Sequence, residues 1–191
     1  VNWLEGDTKL IYANNSYLRV YDINTRVDKE IFSARTSNIG EIKINGDQRK
    51  ALLIMNNKPG TSNITGLLDL PTKELQEISK DNHYAHWSLS GNYFLLADKK
   101  FYGSYFPWFY LELKRYNLDG ELVAKELYGK GIDIVEHSLS PDDRFMVFTI
   151  KTPNSYFPIR HFFKDIFIKQ LNTNLITRLT YSENVYNPIW L

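Results

Sequence analysis

Hydrophobic positions along the chain come in short runs of four to nine residues, each closed by a polar turn. Lys9–Ala13, Tyr17–Ile23 and Arg26–Phe32 are rich in aromatic and β-branched residues, and the last two are parted by Asn24-Thr25, a dipeptide suited to a hairpin turn. Tyr93–Ala97, Phe109–Asn117 and Leu122–Leu127 follow the same plan with Asp119-Gly120 at the hinge, and Phe145–Lys151, Asp165–Leu171 and Ile176–Leu179 repeat it around Asn172-Thr173-Asn174. Between them, Ile64–Leu70 contains Gly66, which weakens a strand, and is followed by Pro71-Thr72-Lys73. No window beyond about ten residues sustains the i, i+3, i+4 spacing of an amphipathic helix. The pattern predicts an all-β chain.

A recurrent phrase sets the larger period: an apolar or aromatic residue, a tight polar turn, then a hydrophobic strand. It reads Trp3 to Asp7, Ile42 to Asp47, Trp87 to Asn92 and His137 to Asp143, with a fifth copy beginning at Trp190. Taking Trp3, Ile42, Trp87, His137 and Trp190 as equivalent gives spacings of 39, 45, 50 and 53 residues. A period of about 40–50 residues with room for four strands predicts a β-propeller of four-stranded antiparallel blades. The expected blades are 1–38, 39–84, 85–134 and 135–186 of one domain over 1–191, with 187–191 opening a further blade. Val1-Asn2-Trp3 enters mid-repeat, so the expectation is about four blades of a larger propeller. The spacing grows because the second-to-third-strand connection lengthens, from Asn14–Ser16 to Asp98–Trp108 and Thr152–Lys164. Ser-Tyr-Phe-Pro occurs in both long connections, at 104–107 and 155–158.

Ser138-Leu139-Ser140-Pro141-Asp142-Asp143-Arg144-Phe145 resembles the W-S-P-D-G-(K/R) turn of the TolB-type, WD-like β-propeller repeat, and Trp87 to Asn92 is similar. Asp165 to Leu171 and Thr177 to Thr180 resemble that repeat's next two strands, and Tyr186 to Trp190 its following inner strand. The family's usual glycine is read as absent at Asn92 and Asp143, and His137 stands for its tryptophan. The resemblance implies a propeller that acts through protein contacts or as the companion of a catalytic domain. Independently of it, Trp3, Trp87 and Trp190 read as buried anchors between sheets. Asp7, Asp47, Asp142 and Asp143 read as turn formers.

Lys and Arg number 23 against 22 Asp and Glu, without a basic run, and this argues against nucleic acid. No segment has the ~18 apolar residues of a membrane-spanning helix. Zero cysteines excludes disulfides and thiolate metal sites. A periplasmic or extracellular setting is the expectation, although such a composition also suits a reducing cytoplasm.

Gly-x-Ser-x-Gly, a phosphate-binding glycine loop and a standout carboxylate couple are all missing from the sequence, so no catalytic or cofactor residue is assigned. His83 and His86 lack a third ligand, and no metal is expected there. Antiparallel blades put the second-to-third-strand loops on one face, where adjacent aromatic loops form a candidate interface. The residues assigned to it are Tyr102, Tyr105, Phe106, Trp108, Tyr156, Phe157, Arg160 and His161. The functional expectation is a non-catalytic scaffold that binds a protein or peptide partner there. Two alternatives stand beside it: the accessory, gating propeller of a prolyl oligopeptidase-type serine peptidase, and a small-ligand or glycan site at a channel mouth.

Overall fold

A computed structural model describes residues 1–4, 6, 8–35, 37–56, 63–80, 82–102, 108–130, 133–153 and 162–181. At 82–84, 99–102, 108–110, 130, 133–136, 151–153 and 162–163 the description is of the backbone alone. The described residues form sixteen strands and no helix. The first sheet is β1 (Asn2–Leu4), β2 (Lys9–Asn14), β3 (Tyr17–Asp22) and β4 (Asp28–Ser33). The second is β5 (Asn38–Ile44), β6 (Lys50–Asn56), β7 (Asn63–Asp69) and β8 (Leu75–Lys80). The third is β9 (Asn82–Trp87), β10 (Tyr93–Tyr102), β11 (Trp108–Asn117) and β12 (Leu122–Lys130). The fourth is β13 (Asp133–Leu139), β14 (Phe145–Pro153), β15 (Phe162–Gln170) and β16 (Ile176–Arg178). In each sheet the strands lie in chain order. The chain divides into two compact units, Val1–Trp87 and Ser88–Leu191.

The turn after the first strand of the second, third and fourth sheets is fixed by a small polar side chain. Ser140 N–H donates to the Phe145 carbonyl at 2.9 Å, and its Oγ accepts the Phe145 N–H at 2.9 Å. Ser88 and Asn45 make the same pair of bonds with Tyr93 and Lys50. These bonds make Trp87, Ile44 and Leu139 equivalent, and the pairing of Trp3 with Leu10 puts Trp3 in the same place. The expected equivalence of Ile42 and His137 with the tryptophans is therefore off by two residues. A shift of two keeps a side chain on the same face of a strand, which is why the hydrophobic pattern does not betray it.

The corrected register also relocates the turn's left-handed position. Gly91 holds it in the third sheet at φ 74°, with Asp143 at 54° and Gln48 at 59° in the equivalent places. The glycine expected to be absent at Asn92 is thus present one residue earlier. At Asp143 a carboxylate compensates: it accepts Leu89 N–H and Ser90 N–H, each at 3.0 Å.

Each unit has its own core. In the first, Ile11 and Leu18 of the first sheet pack with Ala51, Leu53, Met55 and Leu68 of the second. In the second, Leu95, Ala97, Leu111 and Leu113 pack with Met146, Phe148 and Ile150. These are alternate residues of adjacent strands, so each contributes one face of its sheet. Gly66 belongs to β7 and stands at a register shift in its pairing with β8. A Cβ there would come within 2.7 Å of the Leu75 side chain, so the missing side chain makes room for the outer strand's leucine.

The tryptophans need correction as buried anchors. Trp3 is 52% exposed. Trp87 is half-buried and donates its indole N–H to the Lys43 carbonyl at 2.8 Å. Trp190 lies outside the described residues.

Candidate functional site

The inner hairpins of the second unit are longer than those of the first. β2 and β3 have six residues each and β6 and β7 seven, whereas β10 and β11 have ten and β14 and β15 nine. In the second sheet the hairpin ends level with its neighbour, since Asn56 pairs with both Asn63 and Asn38. In the third, β12 is last paired at Tyr110, while Phe101↔Phe109 and Tyr102↔Trp108 continue the hairpin. In the fourth, β13 is last paired at Lys151, while Thr152↔Phe163 and Pro153↔Phe162 continue it. Among the described residues, each hairpin thus runs two residue pairs past the flanking first or fourth strand, or about 7 Å at strand rise.

This changes the expected loops. Asp98–Trp108 and Thr152–Lys164 read as connections because Asp98-Lys99-Lys100 and Thr152-Pro153 interrupt the apolar runs. The strands in fact carry on to Tyr102 and Pro153 and resume at Trp108 and Phe162. Of the eight candidate residues, Tyr102 and Trp108 are opposite each other at the end of the first long hairpin. Tyr105, Phe106, Tyr156, Phe157, Arg160 and His161 lie outside the described residues.

An ion pair stands near the root of each extension. Asp98 is 3% exposed and accepts a hydrogen bond from Lys114 Nζ, which also lies 3.0 Å from Glu112. Lys125 of β12 reaches Glu112 at 3.2 Å, so the charges link three strands. Burial disfavours the Lys114 ammonium, but the Asp98 and Glu112 carboxylates outweigh it and hold its pKa above the ordinary lysine value. Lys114 first, and then Lys125, outweigh burial to hold the Glu112 carboxyl below its ordinary value. In the fourth sheet the buried Asp165 pairs with Arg178, and Thr180 Oγ1 lies 3.3 Å from the same carboxylate. Arg178 in turn stacks its guanidinium 4.5 Å from the Tyr181 ring centroid. Sequence reasoning does not single out Asp98 or Asp165 as functional residues. The signal they carry is a carboxylate next to or within an apolar run, a place it occupies only when paired.

A second charge group lies on the turn side of the same two sheets. Glu126 and Lys169, each with a side chain 2% exposed, are 3.5 Å apart, and Arg115 Nε lies 3.3 Å from Glu126. Lys169 also donates to the Thr173 carbonyl, and Arg115 to Asn172 Oδ1 while standing 5.4 Å over the Tyr93 ring. Both cations are ion-paired with the one carboxylate, so the group joins two sheets.

Elsewhere the described residues give little chemistry. His86 is pushed down to about 4, by burial first and by the nearby Lys43 ammonium second, so its imidazole is neutral at pH 7. Among the described residues no three His, Asp or Glu side chains stand together as a metal site. In the first unit, an open cleft of about 360 Å³ is lined by Leu4, Ile11, Ile31, Leu70 and Pro71 with Asp47 and Gln48. Two polar side chains in it do not make a convergent ligand site.

Four-stranded antiparallel meanders, repeated and packed face to face, are also what known structures show for this arrangement. The chain superimposes on Kuenenia stuttgartiensis hydrazine synthase with a TM-score of 0.65 at 17% identity, covering 92% of this chain and 51% of that one. With the β-propeller domain of the Trilobed protease from Pyrococcus furiosus the TM-score is 0.58 at 13% identity, covering 91% and 53%. The fold is that of a β-propeller. A structure of prolyl endopeptidase matches at 0.64 and 12% identity, over 97% of this chain and 29% of that chain. The chain thus spans about half the length of the first two propeller-bearing chains and less than a third of the peptidase. No protein-family model matches the sequence, and no curated protein does. At such identities the likeness carries the fold alone.

Proposed function

We propose that this chain is a propeller module that holds a protein or peptide partner at the ends of its two long hairpins. The observation that carries the reading is the pair of extensions, β10–β11 and β14–β15. They run past their flanking strands in two sheets that share one core, and six of the eight residues that do so are aromatic. Aromatic side chains supply much contact area per ordered residue and are enriched in interfaces. The sequence contains no nucleophile elbow or phosphate loop, so on this reading the 191 residues bind without transforming what they bind.

A second reading is favoured by the comparisons: an accessory propeller serving a serine peptidase, as the likeness to prolyl endopeptidase suggests. The same face would then meet a catalytic domain or its peptide substrate.

The test places a photo-crosslinking benzoylphenylalanine at Tyr102 or Trp108 and, as controls, at Thr25 or Lys73 in the outer turns of the first unit. Partner cross-links at the first pair and none at the second are expected. Equal cross-linking at all four would contradict the assignment. A cross-linked chain labelled by a fluorophosphonate serine-hydrolase probe would select the second reading.

A further inference from the structure

One face of the first sheet is open where the same face of the other three is closed. The turn bonds and the pairing of Trp3 make Leu10, Ala51, Phe94 and Met146 equivalent. Their partners on the third strands are Tyr21, Leu68, Tyr116 and Lys169. Ala51, Phe94 and Met146 are fully buried, as are Leu53, Leu96 and Phe148 two residues on, and Leu68, Tyr116 and Lys169 are buried opposite the first three. In the first sheet the same places hold Leu10, Tyr12 and Tyr21, which are only half-buried. Trp3 and Tyr17, on that same face by alternation, are 52% and 45% exposed.

Within each unit the equivalent face is covered in one way. Ile11 and Leu18 of the first sheet lie on the Ala51 face of the second, and Leu95, Ala97, Leu111 and Leu113 of the third lie on the Met146 face of the fourth. From this repetition we infer that the open face of the first sheet is a blade interface, covered by the aliphatic face of a further four-stranded sheet of the same polypeptide, outside these 191 residues. The polar atoms on the face suit a cover. Tyr12 Oη donates to Asp28 Oδ2 at 2.8 Å and Arg19 Nε to the same oxygen at 3.0 Å, so hydroxyl and carboxylate keep partners when water leaves. Strands spaced about 4.8 Å apart and about 3.3 Å per residue give four strands of up to six residues an outline of roughly 400 Å². Patches of about 300–600 Å² are those that mark interaction sites on single chains. A second copy of the chain does not supply the cover, because its aliphatic faces are taken. Leu52, Ile54 and Leu67 of the second sheet are buried, and so are Val147 and Thr149 on the corresponding face of the fourth. In hydrazine synthase and the Trilobed protease domain, the matched sheets belong to chains about twice this length, which favours a sheet of the same polypeptide over one from another protein. This interface belongs to the first unit and is independent of the hairpin reading.

The experiment places photo-crosslinking benzoylphenylalanine at Tyr21 of the protein expressed from its chromosomal reading frame, with the linked peptides read by mass spectrometry. An intramolecular link to an apolar strand residue outside the 191 is expected. A link to a second copy, a link to another protein, or no link at all would overturn the assignment. Trp3→Ser supplies a second readout, measured both in that protein and in the 191-residue chain. In the 191-residue chain, where the face is open, it should shift the thermal midpoint by less than about 2 °C, as surface changes do. In the whole polypeptide, where the indole is covered, the midpoint should fall by about 5 °C or more. Equally small shifts in both would show that nothing covers the face.

Discussion

Asp143 shows how a single side chain can reverse the usual preference of a turn. Its φ of 54° is one that glycine adopts freely and that costs most other residues about 1 kcal/mol. Gly91, at the equivalent place in the neighbouring sheet, has no such cost. Replacing Asp143 with glycine would ordinarily stabilise, yet it would also strip Leu89 N–H and Ser90 N–H of their acceptor. Two hydrogen bonds to a charged group outweigh the relief of one strained φ. Asp143→Gly is therefore expected to lower unfolding free energy by about 1–2 kcal/mol, read from urea denaturation with an unchanged slope. An increase in stability would show that the backbone strain dominates. The neighbouring Asp142 acts within its own turn, where Ser140 Oγ–H, the Arg144 guanidinium and the Arg144 N–H hold its carboxyl at about 2. Its contribution is present above the unfolded carboxyl value of about 3.9 and is lost as pH falls towards about 2.

At the scale of strands and hairpins, the roots of the extensions determine whether the binding end is held in place. Asp98 pairs with Lys114 inside the third sheet, and Lys114 keeps Glu112 as its second partner. Asp98→Ala is expected to cost about 3 kcal/mol, the low end for breaking a buried pair, because Glu112 still balances the cation. Amide exchange should then quicken in 99–102 and 108–110 and stay unchanged in 162–164. Uniform quickening of both hairpins would contradict a local anchoring role. The sequence discloses these elements unequally. Most expected strands of the first, third and fourth sheets are present within one or two residues at their turn ends, because Asx and glycine turns announce themselves. Asp22 Oδ1 caps Asn24 and Thr25, and Asn117 Oδ1 caps Asp119 and Glu121. The far ends of β10 and β14 are hidden, since Asp98-Lys99-Lys100 has the composition of a loop, and only the partner Lys114, sixteen residues on, makes it a strand. Trp3 and Trp87 look alike in sequence but differ in burial, because burial depends on which neighbouring sheet is at hand.

For the whole molecule, the likeness to propellers establishes the architecture, and the long hairpins of the second unit distinguish one end of its sheets. Repeated blades share turn chemistry and core alternation, so function resides in what differs between them. Here the differences are hairpin length and aromatic content, both concentrated in Ser88–Leu191. The most direct measurement of that claim is amide hydrogen exchange of the 191-residue chain with and without a partner captured by cross-linking at Tyr102 or Trp108. Protection is expected in 99–102, 108–110, 151–153 and 162–164, with the turn segments 88–92 and 140–144 unaffected. Protection confined to those turns, or to Val1–Trp87, would contradict it.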